Sequence, residues 1–106
     1  MGYTELEYAL IGGKSTTRTS VAYGSLSSSY SALAASDDRK GATIYNNTDG
    51  ELYVGLGTAA VSTSDFTVKV AAAGFYELPY KYYGAVKLIA SGASSGNVQI
   101  TDISKI

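Results

Sequence analysis

Short apolar runs that alternate with polar residues dominate this chain from Arg18 onward, and this alternation restricts the chain to β-structure. In the clearest run, Phe66, Val68 and Val70 alternate with Thr67 and Lys69, the period of a strand with one buried face. Similar runs recur every eight to twelve residues, separated by turns rich in Gly, Ser and Asp. The predicted strands span residues 19–23, 28–34, 42–46, 52–57, 66–70, 75–78, 85–90 and 97–103.

Strands with one apolar face form a stable core when two sheets pack against each other. The sequence therefore predicts an all-β fold, an antiparallel β-sandwich of about eight short strands, with jelly-roll connectivity left open. Asp49-Gly50, between the strands at 42–46 and 52–57, predicts a hairpin in which Gly50 adopts positive φ.

The first sixteen residues differ from the rest and predict an extended N-terminal arm, residues 1–16, ahead of a sandwich domain over residues 17–106. Leu6 and Leu10 are four residues apart, a spacing that allows one helical turn but is too short for a stable helix. Gly12-Gly13 then separates the segment from the sandwich. We expect the arm to contact a partner, and the predicted contact residues are Leu6, Tyr8, Leu10 and Ile11.

Several functional classes are excluded by residues that the chain lacks. It contains no Cys, His or Trp, which excludes disulfide scaffolds, zinc sites of the usual Cys/His type, Ser-His-Asp or Cys-His catalysis and haem ligation. Only four Glu are present, two of them in the arm, and they suggest no acid–base pair. A net charge of −1 argues against nucleic-acid binding, and no apolar stretch is long enough to span a membrane. We therefore expect that the protein is not an enzyme and that it binds no cofactor or metal ion.

Three local patterns suggest ligand chemistry, and each has a simpler interpretation. Residues 55–60 match G-x-G-x-x-A, but no helix is predicted to follow the glycines and receive a pyrophosphate, so we interpret them as the end of a hairpin and the start of a loop. Residues 46–48 match a glycosylation sequon and are better interpreted as the start of the hairpin turn. Asp37, Asp38 and Asp49 lack the spacing of a calcium loop and are expected to be solvated.

Tyrosines are concentrated around Pro79, at Tyr76, Tyr80, Tyr82 and Tyr83. Exposed tyrosines stack on sugar rings or anchor a protein partner, whereas buried ones would close an end of the sandwich. We expect both uses, with one or two rings buried and the others at an interface. Among the predicted partner-binding residues we therefore include Tyr80, Tyr82 and Tyr83.

Several segments together resemble the small virion proteins of tailed bacteriophages. The resemblance covers roughly residues 37–103 and is carried by six segments in the same order. They are RKGATIYNN at 39–47, LYVGLG at 52–57, DFTVKV at 65–70, FYELPY at 75–80, YGAV at 83–86 and VQIT at 98–101.

The resemblance implies a non-enzymatic structural protein, and among such proteins a capsid decoration, or cement, protein is favoured. Such a protein is made in the cytoplasm of the host bacterium and sits on the capsid surface of the virion. Its partners would be the major capsid protein and copies of itself, as a homotrimer, and it would stabilise contacts between capsid subunits.

Two alternatives remain open at this point. The same module would suit a tail, neck or baseplate component, because its motifs are structural and do not fix its position on the virion. The tyrosine cluster over residues 76–83 would also suit a module that binds glycans on a host surface.

Overall fold

The computed structural model describes residues 15–79 and 81–104. This part of the chain contains eight β-strands, one 3₁₀ turn (Tyr23–Leu26) and no α-helix. The strands are β1 (Ser15–Ala22), β2 (Tyr30–Leu33), β3 (Arg39–Thr48), β4 (Glu51–Leu56), β5 (Val68–Val70), β6 (Phe75–Glu77), β7 (Val86–Ser91) and β8 (Gly96–Ser104).

The strands form two antiparallel sheets of four, with the order β1-β8-β3-β6 in sheet A and β2-β7-β4-β5 in sheet B. Each strand of the first half pairs with its counterpart from the second half, β1 with β8, β2 with β7, β3 with β6 and β4 with β5. A long hairpin wound across two sheets in this way is a jelly roll. The predicted antiparallel β-sandwich is confirmed, and the pairing resolves its connectivity.

The core lies between the two sheets and is built from the alternation that the sequence shows. Along β3, the side chains of Ala42, Ile44 and Asn46 are buried, while the intervening residues face outward. Ile44 pairs with Ile100 of β8, and Leu88 of β7 pairs with Val54 of β4. The fully buried apolar side chains are Leu26, Ile44, Leu52, Val54, Val86, Leu88, Val98 and Ile100.

The hairpin predicted at Asp49-Gly50 is wrong, because β3 and β4 belong to different sheets. Asp49-Gly50 carries the chain from sheet A to sheet B, next to the turn that carries it back from β7 to β8. Gly50 is required here for space, not for positive φ. A Cβ on Gly50 would lie 2.4 Å from the backbone nitrogen of Ala93 in that second turn.

Several strand limits also differ from the prediction. β1 begins at Ser15, inside the predicted arm, and β3 begins at Arg39, three residues before the predicted strand. β5 covers only Val68–Val70, and Phe66 precedes it. The ring of Phe66 packs edge-on against Tyr53, with centroids 4.8 Å apart, so Phe66 does not share the inward face of Val70.

Asn46 is a fully buried polar residue whose side chain fixes the crossover between the sheets. Its Nδ2 donates to the carbonyls of Gly50 and Val70, both at 3.0 Å. Its Oδ1 accepts from the backbone N–H of Thr48 at 3.1 Å and from the Thr48 hydroxyl at 2.7 Å. Because a buried polar group must be paired, this amide holds the end of β3, the start of β4 and the end of β5 in one arrangement.

Arg39 performs a similar role at another junction. It lies in the segment 37–40, whose two acidic and two basic residues have a net charge of zero. Its side chain is nevertheless only 2% exposed. Its guanidinium donates to the carbonyls of Gly84 at 2.8 Å and Ala34 at 2.5 Å, and its Nε lies 3.4 Å from Oδ1 of Asp102. Arg39 thus joins the connection before β3 to the connection before β7.

We predict that replacing Asn46 with Ala lowers the free energy of unfolding by about 2–4 kcal/mol, because it leaves buried carbonyl and hydroxyl groups unpaired. The neighbouring variant Asn47→Ala, on the exposed side of β3, is the matched control and should change stability by about 0.5 kcal/mol or less. Urea denaturation measures both. Equal effects of the two substitutions would contradict the role given to Asn46.

We also predict that Asp49 makes the fold sensitive to acid. The hydroxyl and backbone N–H of Ser94, with the N–H of Ser95, donate to its carboxylate. These bonds lower the pKa of Asp49 from 3.8 to about 2. Because the pKa is lower in the folded state, the stabilisation is complete above pH 3.8 and is lost as pH falls through about 2.

The variant Asp49→Asn should therefore be less stable than the parent at neutral pH, and this difference should shrink between pH 4 and pH 2. Thermal melting across that range measures the effect, with Asp37→Asn as the control for removal of one exposed carboxylate. A stability difference between Asp49→Asn and the parent that stays constant from pH 4 to pH 2 would contradict the role given to the Asp49 carboxylate.

Candidate partner-binding surface

The outward faces of the two sheets differ in how the chain covers them. On sheet B, the connection between β4 and β5 folds back over the outside of the sheet. A Cβ on Gly55 would lie 3.0 Å from the Val61 side chain, which is buried, and Phe66 covers Tyr53. The loop predicted over residues 55–60 is present, because β4 ends at Leu56 and no helix follows it, but these residues do not end a β3–β4 hairpin, since β3 and β4 lie in different sheets.

On sheet A, two aromatic side chains lie side by side on the outward face. Tyr45 of β3 pairs directly with Phe75 of β6, and their side chains are 39% and 70% exposed. The same row continues through Gln99 of β8 to Ser20 of β1. We call this row, Ser20, Gln99, Tyr45 and Phe75, the aromatic row. Since large apolar groups placed together on a surface mark binding sites, the aromatic row is a candidate interface.

The orientation of Phe75 follows from the residue beside it. Tyr76 pairs with Ile44 and packs against the core, so the alternation of β6 turns Phe75 and Glu77 outward. Backbone hydrogen bonds fix both ends of this short strand, from Asn46 N–H to the Gly74 carbonyl at 2.8 Å and from Leu78 N–H to the Ala42 carbonyl at 3.0 Å. Phe75 is therefore presented by a fixed backbone, which lowers the entropy lost when a partner binds.

The surroundings of the aromatic row are almost uncharged. The adjacent outward row runs from Arg18 through Thr101 and Thr43 to Glu77, so one cation and one anion lie at opposite edges of the sheet. A neutral face with exposed aromatic rings suits a protein–protein interface, because the core of such an interface is depleted in charged residues and enriched in Tyr and Phe.

The tyrosine cluster is divided between the core and the surface. Tyr76 and Tyr82 pack against the core, and the Tyr82 hydroxyl donates to the Ala85 carbonyl at 2.7 Å. Burial, with the neighbouring Tyr82, raises the pKa of Tyr76. Gly84 leaves room for this arrangement, because a Cβ there would lie 2.5 Å from the Tyr82 hydroxyl oxygen. Tyr83 is 38% exposed and remains a candidate contact residue.

Five of the predicted contact residues lie outside the described part of the chain. They are Leu6, Tyr8, Leu10 and Ile11 of the arm, and Tyr80. Their role in partner binding stays a prediction.

Tyr45 and Phe75 were missed by the sequence analysis, although a signal for Phe75 was present. Glu77 is charged and Tyr76 and Leu78 are large and apolar, so period-two alternation places Phe75 on the same outward face as Glu77. Tyr45 follows the apolar Ile44 in a predicted strand, so the alternation also places Tyr45 on the outward face. Its pairing with Phe75 depends on the strand order, which the sequence leaves open.

The other residues considered for ligand binding either have a structural role or do not come together in a site. Within residues 15–79 and 81–104, no group of three or more acidic residues is placed to hold a metal ion. The prediction that the sequon starts a turn is wrong, because residues 46–48 are the last three residues of β3, and Asn46 is fully buried. No helix of the described chain is long and apolar enough to cross a membrane.

Comparison with known proteins identifies no relative of this chain. No family model, curated protein or solved structure matches the chain.

Proposed function

We propose that this chain is a non-enzymatic structural protein of a tailed-phage virion that decorates the capsid and binds the major capsid protein through the aromatic row. The observation that carries the proposal is the exposed pair of Tyr45 and Phe75 on the open face of sheet A. The assignment to phage virions comes from the resemblance of residues 37–103, and the jelly-roll topology is compatible with it, since viral capsid domains use this fold.

The polar residues with the most hydrogen-bond partners support a structural role. Asn46 and Arg39 use their side chains to connect strands and loops, and Asp49 is engaged by two backbone N–H groups and a hydroxyl. The polar side chains with the most partners thus serve the fold, and the aromatic row takes part in none of these contacts. A protein that clips a capsid lattice needs such a fixed scaffold, because it stabilises the lattice by binding only its assembled form.

Repetition on a symmetric shell would make a small contact surface sufficient. When many copies bind equivalent sites, or when three copies form a homotrimer, modest individual affinities combine through multivalency. A two-ring anchor such as Phe75 with Tyr45 is the kind of feature that dominates the affinity of a small interface.

A tail, neck or baseplate position for the same module remains the second candidate, because the aromatic row would equally serve contacts within a ring of copies. The glycan-binding alternative has less support. Tyr76 and Tyr82 pack against the core, so the described members of the tyrosine cluster do not form an open row of stacking rings.

We predict that Phe75→Ser combined with Tyr45→Ser weakens binding to capsids that lack the protein by at least about tenfold, because the two rings supply most of the apolar contact. The folded structure should be unchanged, since both rings lie outside the core. Tyr23→Ser is the matched control, because Tyr23 is also 40% exposed but lies in the 3₁₀ turn. Binding is measured by co-sedimentation, and circular dichroism verifies folding. Equal binding by the double variant and the control would contradict the proposed surface.

We further predict that the protein is present at high copy number in virions encoded by the same genome. Quantitative mass spectrometry should give a ratio to the major capsid protein near one to one or one to a small integer. A ratio of a few copies per hundred capsid subunits would favour the tail or neck, and absence from the virions would contradict the proposal.

A further inference from the structure

Asp49-Gly50 is the only place in the sequence where an Asp or Asn directly precedes a Gly. In such a pair, the backbone nitrogen of the glycine can attack the carboxyl carbon of the aspartate side chain, because no Cβ on the glycine hinders the approach. The attack forms a C–N bond and expels water, which gives a five-membered succinimide. Water then opens the ring, and opening at the main-chain carbonyl leaves an isoaspartate of unchanged composition, in which the main chain runs through the former side chain.

The folded structure engages the carboxylate that would be attacked. The Ser94 hydroxyl donates to Oδ2 of Asp49 at 2.5 Å, and the backbone N–H groups of Ser94 and Ser95 donate to Oδ1 at 2.7 and 3.1 Å. All three donors lie in the turn between β7 and β8, so ring closure requires the carboxylate to leave a distant part of the chain. The same bonds lower the pKa of Asp49 from 3.8 to about 2, and an ionised carboxylate is a poorer electrophile than the neutral acid.

The attacking nitrogen is engaged as well. The N–H of Gly50 donates to Oγ1 of Thr48 at 3.3 Å, and the Thr48 hydroxyl donates to Oδ1 of the buried Asn46 at 2.7 Å. On the other side of the dipeptide, the N–H of Asp49 donates to the Ser95 carbonyl at 3.3 Å. Because the backbone is fixed on both sides, the rotation that brings nitrogen and carboxyl carbon together requires local opening of the crossing.

An isomerised chain would not fit this crossing. An isoaspartate lengthens the main chain by one carbon, which displaces Gly50. Gly50 is buried and has no room on the side of the β7–β8 turn, because even an added Cβ would overlap the backbone nitrogen of Ala93. Its carbonyl also accepts from Nδ2 of Asn46 at 3.0 Å. Displacement of Gly50 would therefore leave a buried amide without one of its partners.

We propose that Asp49-Gly50 is a site of spontaneous isoaspartate formation that the folded crossing keeps unreactive, and that a chain isomerised while unfolded cannot regain the native fold. Water is the only co-reactant. Unfolding that is reversible at first thus becomes irreversible with time, through a covalent change confined to one peptide bond. The inference is independent of the proposed function.

Ageing of the full-length protein tests the protection. Samples are kept in warm neutral buffer with and without urea, and isoaspartate is measured with protein isoaspartyl methyltransferase. Its position is determined in the tryptic peptide 41–69, which endoproteinase Asp-N no longer cleaves before residue 49 once that residue has isomerised. We expect isomerisation at residue 49 to be at least about tenfold slower in the folded protein than in urea. Equal rates in the two samples would overturn the proposal.

Two neighbouring serines provide matched variants. Ser94→Ala removes the hydroxyl that binds Asp49, whereas Ser95→Ala keeps the backbone N–H through which Ser95 binds it, and both side chains are exposed. In native buffer, Ser94→Ala should isomerise faster than Ser95→Ala by about three- to tenfold, because a hydrogen bond to a charged group is lost. Circular dichroism verifies that both variants are folded. Equal rates for the two folded variants would contradict the role given to Ser94.

Refolding of the aged chain tests the second part of the proposal and needs no variant. Parent protein aged in urea is separated by reversed-phase chromatography into isomerised and unmodified chains, and each is returned to native buffer. The unmodified chain, which has had the same exposure to urea, is the control and should regain its β-structure and its urea midpoint. The isomerised chain should remain unfolded or unfold at a clearly lower urea concentration. An isomerised chain with the parent's midpoint would overturn the proposal.

Discussion

The jelly roll depends on chain crossings between two sheets, and the buried amide of Asn46 fixes the crossing from β3 to β4. Among the eight strands described, only β4 and β5 are consecutive and paired, so most connections carry the chain from one sheet to the other. At the β3–β4 crossing, Asn46 binds the Gly50 and Val70 carbonyls and Thr48, while Asp49 binds Ser94 and Ser95 of the β7–β8 crossing. Strand pairing joins the two crossings on both sides, with Thr48 opposite Gly96 and Glu51 opposite Ser91, and these side-chain hydrogen bonds tie together the turns that lie between.

The sequence predicts the fold class well, because the alternation of apolar and polar residues is a local property. It predicts the connections poorly, because the sheet to which a strand belongs depends on residues far away in the sequence. Ile44 and Val98 could be assigned to a buried face from their neighbours alone. Asp49-Gly50 looks like a hairpin turn until the contact of Gly50 with Ala93 is known, since that contact joins residues more than forty positions apart. The burial of Arg39 has the same origin, because its partners, the carbonyls of Ala34 and Gly84, converge only once the strands are placed.

The candidate interface is accordingly the part of the molecule that the sequence shows least directly. Phe75 can be given an outward direction from Tyr76 and Glu77, but its position beside Tyr45 requires β6 to lie next to β3. Sheet B supports the choice of the aromatic row as the candidate interface. On the outward face of sheet B, Val61 and Phe66 of the β4–β5 connection pack against Gly55 and Tyr53. A partner that binds the aromatic row would complete for sheet A what the β4–β5 connection does for sheet B.

The position of β8 has a consequence for how the protein is made. Residues 96–104 form the last strand described, yet they lie between β1 and β3 in the middle of sheet A. During synthesis, β1 emerges from the ribosome some eighty residues before the strand that pairs with its whole length. Sheet A therefore assembles only after β8 has left the exit tunnel, and the nascent chain must stay soluble with its apolar faces open until then. The many Ser and Thr residues interleaved with short apolar runs suit that interval, because they leave few aggregation-prone segments.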